Sequence, residues 1–153
     1  MRRSILVLCS LLLAGCNLDV PLPEDNPSDP ATEAFAASLN IDIATMHKTA
    51  LGTYYKDITI GAGPTLTTRR PVLVDYAAFL RNGARIDQGL SSPIDLTLGN
   101  SITGFGDGML GMNVGGERVL VIPSALAYGN RNDIPEIPPN STLIFDVKLT
   151  TIP

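Results

Sequence analysis

Covalent catalysis, metal chemistry and phosphate binding each need side chains that this sequence supplies poorly. Its only histidine, His47, has no second histidine and no ordered carboxylates beside it. A metal site or a Ser/His triad would therefore lack parts, and His47 reads as a surface residue. The cysteines are Cys9, inside an apolar run, and Cys16, at its end. Everything after Cys16 is free of thiols, which removes disulfides and cysteine chemistry from the folded part. The string Gly104-Phe105-Gly106-Asp107-Gly108 looks like a glycine-rich nucleotide loop, but it sits in a helix-like segment and lacks the full fingerprint with its later acidic residue. The net charge of -4 comes with no basic cluster longer than Arg69-Arg70. Nucleic acid is thus excluded as a partner, because its affinity rests on many phosphate contacts, and the acidity serves solubility.

The chain's first residues carry a different signal. Met1 to Cys16 read as two positive charges, an apolar run from Ile5 to Leu13, then small residues, which is the pattern of a secretory signal peptide (1–15) and too short for a membrane-spanning helix. The end of this stretch, Leu13-Ala14-Gly15-Cys16, resembles the lipobox of bacterial lipoproteins, which implies lipidation at Cys16 and a membrane anchor. Asn17 at the second mature position implies the outer membrane, so the expected location is the bacterial cell envelope, facing the periplasm or the cell surface. In that setting the glycosylation acceptor Asn140-Ser141-Thr142 is moot. Between Asn17 and Thr32 there are four prolines and four acidic residues with few apolar side chains; together with Cys16 this gives a flexible tether over 16–32. An N-terminal extension follows at 33–51, where Phe35, Leu39, Ile43 and Met46 recur near helical spacing and predict a short helix or coil packed on the domain.

From Gly52 the chain alternates extended runs with turn signals. Strands are expected at Gly52–Ile60, Val72–Leu80, Pro93–Leu98, Gly116–Ile122 and Thr142–Leu149, each rich in β-branched and aromatic residues. Asn82-Gly83 predicts a hairpin whose two central residues have positive φ. Thr103 to Met112 breaks the pattern: Phe105, Met109 and Met112 fall at helical spacing, so a short amphipathic helix is expected despite the glycines. A mainly antiparallel sheet with one short helix laid on it is an α+β arrangement. Composition and spacing do not say what such a domain does.

The wording of four collinear stretches does. Val74 to Asp87 (VDYAAFLRNGARID), Ile102 to Pro123 (ITGFGDGMLGMNVGGERVLVIP), Leu126 to Pro139 (LAYGNRNDIPEIPP) and Asn140 to Leu149 (NSTLIFDVKL) resemble FKBP-type peptidyl-prolyl cis-trans isomerases. The resemblance covers about a hundred residues, and the words before Gly52 resemble the lead-in of secreted bacterial members. It implies an FKBP-like fold, a curved mainly antiparallel five-stranded β-sheet wrapped around one short α-helix, with the isomerase domain at 52–153. It also implies a site. Phe105 takes the place of a floor tryptophan and Ile102 that of a backbone donor, with walls at Tyr76, Ile86, Ile94, Ile137 and Phe145. Asp87 and the hydroxyl of Tyr128 are the polar, catalytic pair, and Ala127 lines the loop beside Tyr128. Without the resemblance the apolar members would read as core, Asp87 as a turn carboxylate and Tyr128 as a surface ring.

The implied chemistry suits these residue types. Turning an X-Pro bond means crossing a barrier close to the general peptide value of ~18–20 kcal/mol, with no covalent bond made or lost. Neither nucleophile, metal nor cofactor is required. The twisted amide is less zwitterionic than the planar one, so an apolar cup with one or two donors stabilises it. The implied partners are proline-containing segments of exported proteins and macrolide ligands. The sequence departs from the family where Ile86 and Ile94 replace phenylalanines and Phe105 the tryptophan. The stretch from Asp87 to Ile94 is about two residues short and lacks the arginine that usually pairs with the aspartate. That trimmed pocket supports the alternative of a catalytically weak binding or chaperone module, and a structural lipoprotein whose domain only contacts neighbours is a third reading.

Overall fold

The computed structural model describes residues 27–153. The leader, Cys16 and the tether as far as residue 26 lie outside the described residues. The strands are β1 (His47–Lys48), β2 (Tyr54–Thr59), β3 (Pro71–Leu80), β4 (Arg85–Asp95), β5 (Glu117–Ile122) and β6 (Leu143–Thr151), with one helix, α1 (Thr103–Met109), between β4 and β5. All pairings are antiparallel, and the strands form a single sheet in the order β1-β2-β5-β6-β3-β4. The sheet therefore has six strands, not five. The sixth is the two-residue β1, too short for any periodicity, which exists because His47 and Lys48 register against Tyr55 and Tyr54.

Period-two alternation sorts the side chains between two faces. On the inner face Val72, Val74, Leu120, Ile122, Val147 and Leu149 meet Phe105 and Met109 of α1, with Leu66, Leu96 and Met112 from the connections. On the outer face Tyr54, Val121 and Ile144 are covered by Phe35, Leu39, Ile41, Ile43 and Met46. The extension does this with two single 3₁₀ turns, Ala37–Leu39 and Ile43–Thr45, rather than a helix. Its apolar spacing reports contact with the sheet. Packing begins earlier still, inside the stretch whose composition reads as tether: Ser28 and Ser124 exchange backbone-to-hydroxyl hydrogen bonds at 2.9 and 2.8 Å, and the Thr142 hydroxyl donates to Ser28 Oγ.

Two local expectations change. β4 starts at Arg85, eight residues before the expected Pro93, and stops short of Leu98. Its first half is poor in β-branched residues and is held extended by pairing with β3, through irregular register near Val74/Tyr76 and a positive φ of 46° at Ser91. The Asp75 carboxylate accepts the Ser91 N–H at 2.7 Å there. The Asn82-Gly83 turn is a four-residue loop, Arg81–Ala84, in which only Gly83 has positive φ (86°). A two-residue Asn-Gly turn of type I′ would need two such residues, whereas this longer loop has one.

The helix is shorter than the expected Thr103–Met112, because Leu110 turns extended (φ −57°, ψ 139°) and Gly111 takes φ 82°. Its glycines are a requirement of the packing. A Cβ on Gly104 would lie 2.3 Å from Ile122 Cγ2, and one on Gly108 2.7 Å from Leu120 Cδ2. Side chains also tie α1 along its length. Thr53 Oγ1 donates to the Gly104 carbonyl, Arg69 Nη1 to the Thr103 carbonyl, and the Thr49 hydroxyl to the Asp107 carboxylate. Arg118, 5% exposed, donates from Nη1 to the carbonyls of Gly108 and Leu110 at 2.7 and 3.0 Å while its other nitrogens grip Asp57 at 2.7 and 3.1 Å. Its guanidinium lies 4.3 Å from the Tyr55 ring centroid. Replacing Arg118 with methionine leaves two helix-end carbonyls and a half-exposed carboxylate without their donor. The expected loss is about 3 kcal/mol in urea unfolding, with an unchanged denaturant slope.

Candidate active site

The inner face is not filled evenly. Toward the N-terminal end of α1 lies a cavity of about 540 Å³, bounded by β3, β4 and β6, by Ile102 and Phe105, and by the segment that leads from β5 to β6. It is lined by Tyr76, Ile86, Asp87, Ile94, Ile102, Phe105, Tyr128, Ile137 and Phe145. Nine of the ten residues singled out from the sequence thus converge on one space, although their positions run from 76 to 145. Ala127 does not line it; it packs against the inner core, its backbone turned to φ −117°, ψ −112° at the end of a 3₁₀ turn. That turn carries the Ala127 methyl inward, and Tyr128 faces the cavity instead.

Register explains how separate strands build one wall. Ala78 sits opposite both Asp87 of β4 and Phe145 of β6, so the central strand β3 brings the edge carboxylate and the aromatic ring to one level. Phe105 and Phe145 meet edge to face with centroids 5.0 Å apart, and Tyr76 lies 6.5 Å from Phe105 and 6.3 Å from Phe145. Such tilted contacts suit the ring quadrupoles. Phe105 is 4% exposed and belongs to the core as well as to the cavity.

Two polar groups stand at this aromatic cluster. The Tyr76 hydroxyl donates to Asp87 Oδ2 at 2.7 Å, and Asp87 Oδ1 accepts the Gln88 N–H at 2.8 Å. Burial, and then the Asp87 hydrogen bond, push the Tyr76 phenol up to about 12. It stays a proton donor to the carboxylate throughout the neutral range. Tyr128 lies in the β5–β6 segment with the Arg131 guanidinium 5.8 Å from its ring centroid.

Sequence reasoning missed part of the lining: Ala78, Pro93, Asp95, Asn100, Ser101, Ile134, Glu136 and Leu143. Ala78 was legible, two residues along β3 from Tyr76 and hence on the same face. Asp95 ends β4, and Asn100 and Ser101 lie in the turn after it, where the Asp95 carboxylate accepts the Thr97 N–H at 3.0 Å and the Thr97 hydroxyl at 2.7 Å, together with the Asn100 amide at 2.6 Å. Those bonds hold Asp95 below the usual carboxylate range.

A six-stranded antiparallel sheet with a short helix tied to its inner face, and a cavity of aromatic, aliphatic and polar residues at the helix's N-terminal end, define an α+β domain with a site between helix and sheet. Comparison with known proteins gives the family. The model of the FKBP-type peptidyl-prolyl cis-trans isomerase matches residues 63–150. FK506-binding protein 4 of Dictyostelium discoideum is 42% identical over 102 residues, 65% of this chain and 28% of that protein. The 46 kDa FK506-binding nuclear protein of Spodoptera frugiperda is 38% identical over 105 residues, 66% of this chain and 26% of that protein. The crystal structure of a peptidyl-prolyl cis-trans isomerase from Pseudomonas syringae superposes with a TM-score of 0.64 at 29% identity, covering 75% of this chain and 85% of the other. The chain belongs to the FKBP-type peptidyl-prolyl cis-trans isomerase family, and it spans little more than a quarter of the length of these curated relatives.

The same relatives overturn the expected location in a bacterial envelope. The curated relatives are eukaryotic FK506-binding proteins, one of them described as nuclear. The envelope reading rested on a short apolar run ending in small residues and a cysteine, a pattern of low information content. The family likeness rests on about a hundred residues.

The Tyr76 shift gives a directional test. An unfolded tyrosine loses its proton near 10.0 while folded Tyr76 holds it to about 12, so its contribution to stability is complete below pH 10.0 and is lost as pH rises toward 12. Spectrophotometric titration at 295 nm is expected to show a tyrosine phase near pH 12, and Tyr76→Phe to remove it.

Proposed function

We propose that the chain is an active prolyl isomerase that turns X-Pro bonds without a covalent intermediate, inside the cavity between α1 and the inner face of the sheet. The observation that carries this reading is the convergence of Tyr76, Asp87, Phe105, Tyr128 and Phe145 on one cavity, in a chain of this family. Phe105 is the floor against which the proline ring packs. Tyr76, Ile86, Ile94, Ile137 and Phe145 are the walls, and the Ile102 backbone is a donor to the bound peptide. Asp87 and the Tyr128 hydroxyl are the polar groups that favour the twisted amide. The substrates are proline-containing segments of folding polypeptides, for which uncatalysed isomerisation takes tens to hundreds of seconds. The relatives' names carry FK506, and the same cavity is the place for such a macrolide here. The working domain is 52–153, with the extension 33–51 covering the sheet's outer face.

One observation favours a second reading, a binding module of low turnover. Ile86 and Ile94 give β4 an aliphatic contribution to the lining, and Phe105 offers less aromatic area than an indole would.

Acceleration of cis/trans exchange in a short X-Pro peptide with an apolar residue before the proline separates the two. Activity at micromolar protein, suppressed by FK506, is the expected result; peptide binding without acceleration establishes the binding module. In the active protein Phe105→Ala is expected to cost more activity than Tyr128→Phe, compared only where circular dichroism shows both folded. Losing one hydrogen bond costs ~0.5–1.5 kcal/mol, whereas a buried Phe→Ala change costs ~3–5 kcal/mol in stability and opens the floor to water. The reverse order would assign the rate to a directed hydrogen bond.

A further inference from the structure

The charges around the cavity are one-sided. Asp87, Asp95 and Glu136 all line it, and no lysine or arginine does. Among the described residues the ion pairs are Arg118 with Asp57, Arg131 with Asp133 and Lys148 with Glu117, so none of these three carboxylates has a cationic partner. Their bonds come from neutral donors: the Tyr76 hydroxyl and Gln88 N–H for Asp87, Thr97 and Asn100 for Asp95.

The nearby cations do not offset them. Arg131, beside Tyr128, is held by both nitrogens on Asp133 at 2.9 and 2.7 Å and adds no net charge. Arg69 is turned toward α1, donating to the Thr103 carbonyl. Arg85 registers with Phe79, an outer-face residue. Beside Asp95 and Asn100, Ser101 Oγ is buried in a lining residue without a hydrogen-bond partner among the described residues.

We infer that this cavity selects X-Pro segments carrying a lysine or arginine next to the proline, with Asp95, Glu136 and Ser101 receiving the cationic side chain while the apolar walls take the proline ring. The inference rests on the isomerase reading above and specifies its substrate class. A proline-flanking cation supplies what the rim lacks, and a flanking carboxylate meets like charge. Complementarity of this kind sets specificity and encounter rate more than total affinity.

The test uses three short peptides with one common Leu-Pro bond and Lys, Gln or Glu beside it, with cis/trans exchange followed by NMR so that no protease preference enters. At low ionic strength kcat/KM is expected to fall in the order Lys, Gln, Glu, with about tenfold between the extremes, as partly exposed charge pairs allow. Salt at about 0.5 M shrinks the spread, because the screening length falls below the size of the cavity. Glu136→Gln lowers the Lys-to-Glu ratio and Glu136→Lys lowers it further; Asp95→Asn, checked for folding by thermal melting, also lowers it. Equal acceleration of all three peptides, or a spread indifferent to salt and to these variants, overturns the inference while leaving the isomerase reading intact. If no peptide is accelerated, that reading fails, and chemical-shift titration of the same peptides decides the inference. Binding in the order Lys, Gln, Glu upholds the charge preference, and equal binding overturns it.

Discussion

The close seating of α1 on the inner face of the sheet is the constraint on which the rest depends. A seven-residue helix is far below the length that holds together in water, so its existence is a tertiary fact. Gly104 and Gly108 let its backbone approach Ile122 and Leu120 more closely than any Cβ would permit. Arg118 holds its C-terminal carbonyls and Arg69 the carbonyl of Thr103. Phe105 is fixed by that seating, and the aromatic trio around it is fixed by Phe105.

The sheet holds its shape for this purpose because both of its faces are occupied. Antiparallel sheets commonly leave one face to solvent. Here the extension carries Phe35, Leu39, Ile41, Ile43 and Met46 across Tyr54, Val121 and Ile144, and the Ser28–Ser124 hydrogen bonds close its start. Strand β5 has Leu120 and Ile122 against the helix side and Val121 against the extension. The extension thus packs on the strand that supports α1, and no residue of it lines the cavity.

The reaction proposed for the site asks for little reactive chemistry and much placement. Rotation about an amide needs neither nucleophile nor metal, which fits a chain with one exposed histidine and no cysteine after Cys16. It does need a cavity of fixed shape with few, aimed polar groups. The Tyr76–Asp87 hydrogen bond is the clearest such device, since it spans β3 and β4 and fixes the orientation of a carboxylate beside Phe105 and Phe145. That carboxylate has no cationic partner among the described residues, and together with Asp95 and Glu136 it makes the rim acidic.

Much of this was legible in the residues, and the part that was not has a common cause. β-branched alternation fixed β2, β3, β5 and β6 to within about two residues at either end, because period two is a local property of half-buried strands. The four motif stretches carry the family likeness, and eight of the nine expected residues that line the cavity lie in them, Ile94 being the one outside. Non-local contact decided most of what was missed. His47–Lys48 and the first half of β4 are strands only because a neighbour offers a register, and the extension is coil with 3₁₀ turns because the sheet, not a helix ladder, takes its apolar residues. Arg118, an ordinary cation in the sequence, becomes a helix clamp through residues up to sixty-one positions away. By itself the sequence determined which residue types alternate and which motif words appear. Which side chains share one cavity, and that its rim carries three carboxylates with no cationic partner among the described residues, only the tertiary structure decided, because pairwise proximity is a property of the folded sheet and not of spacing along the chain.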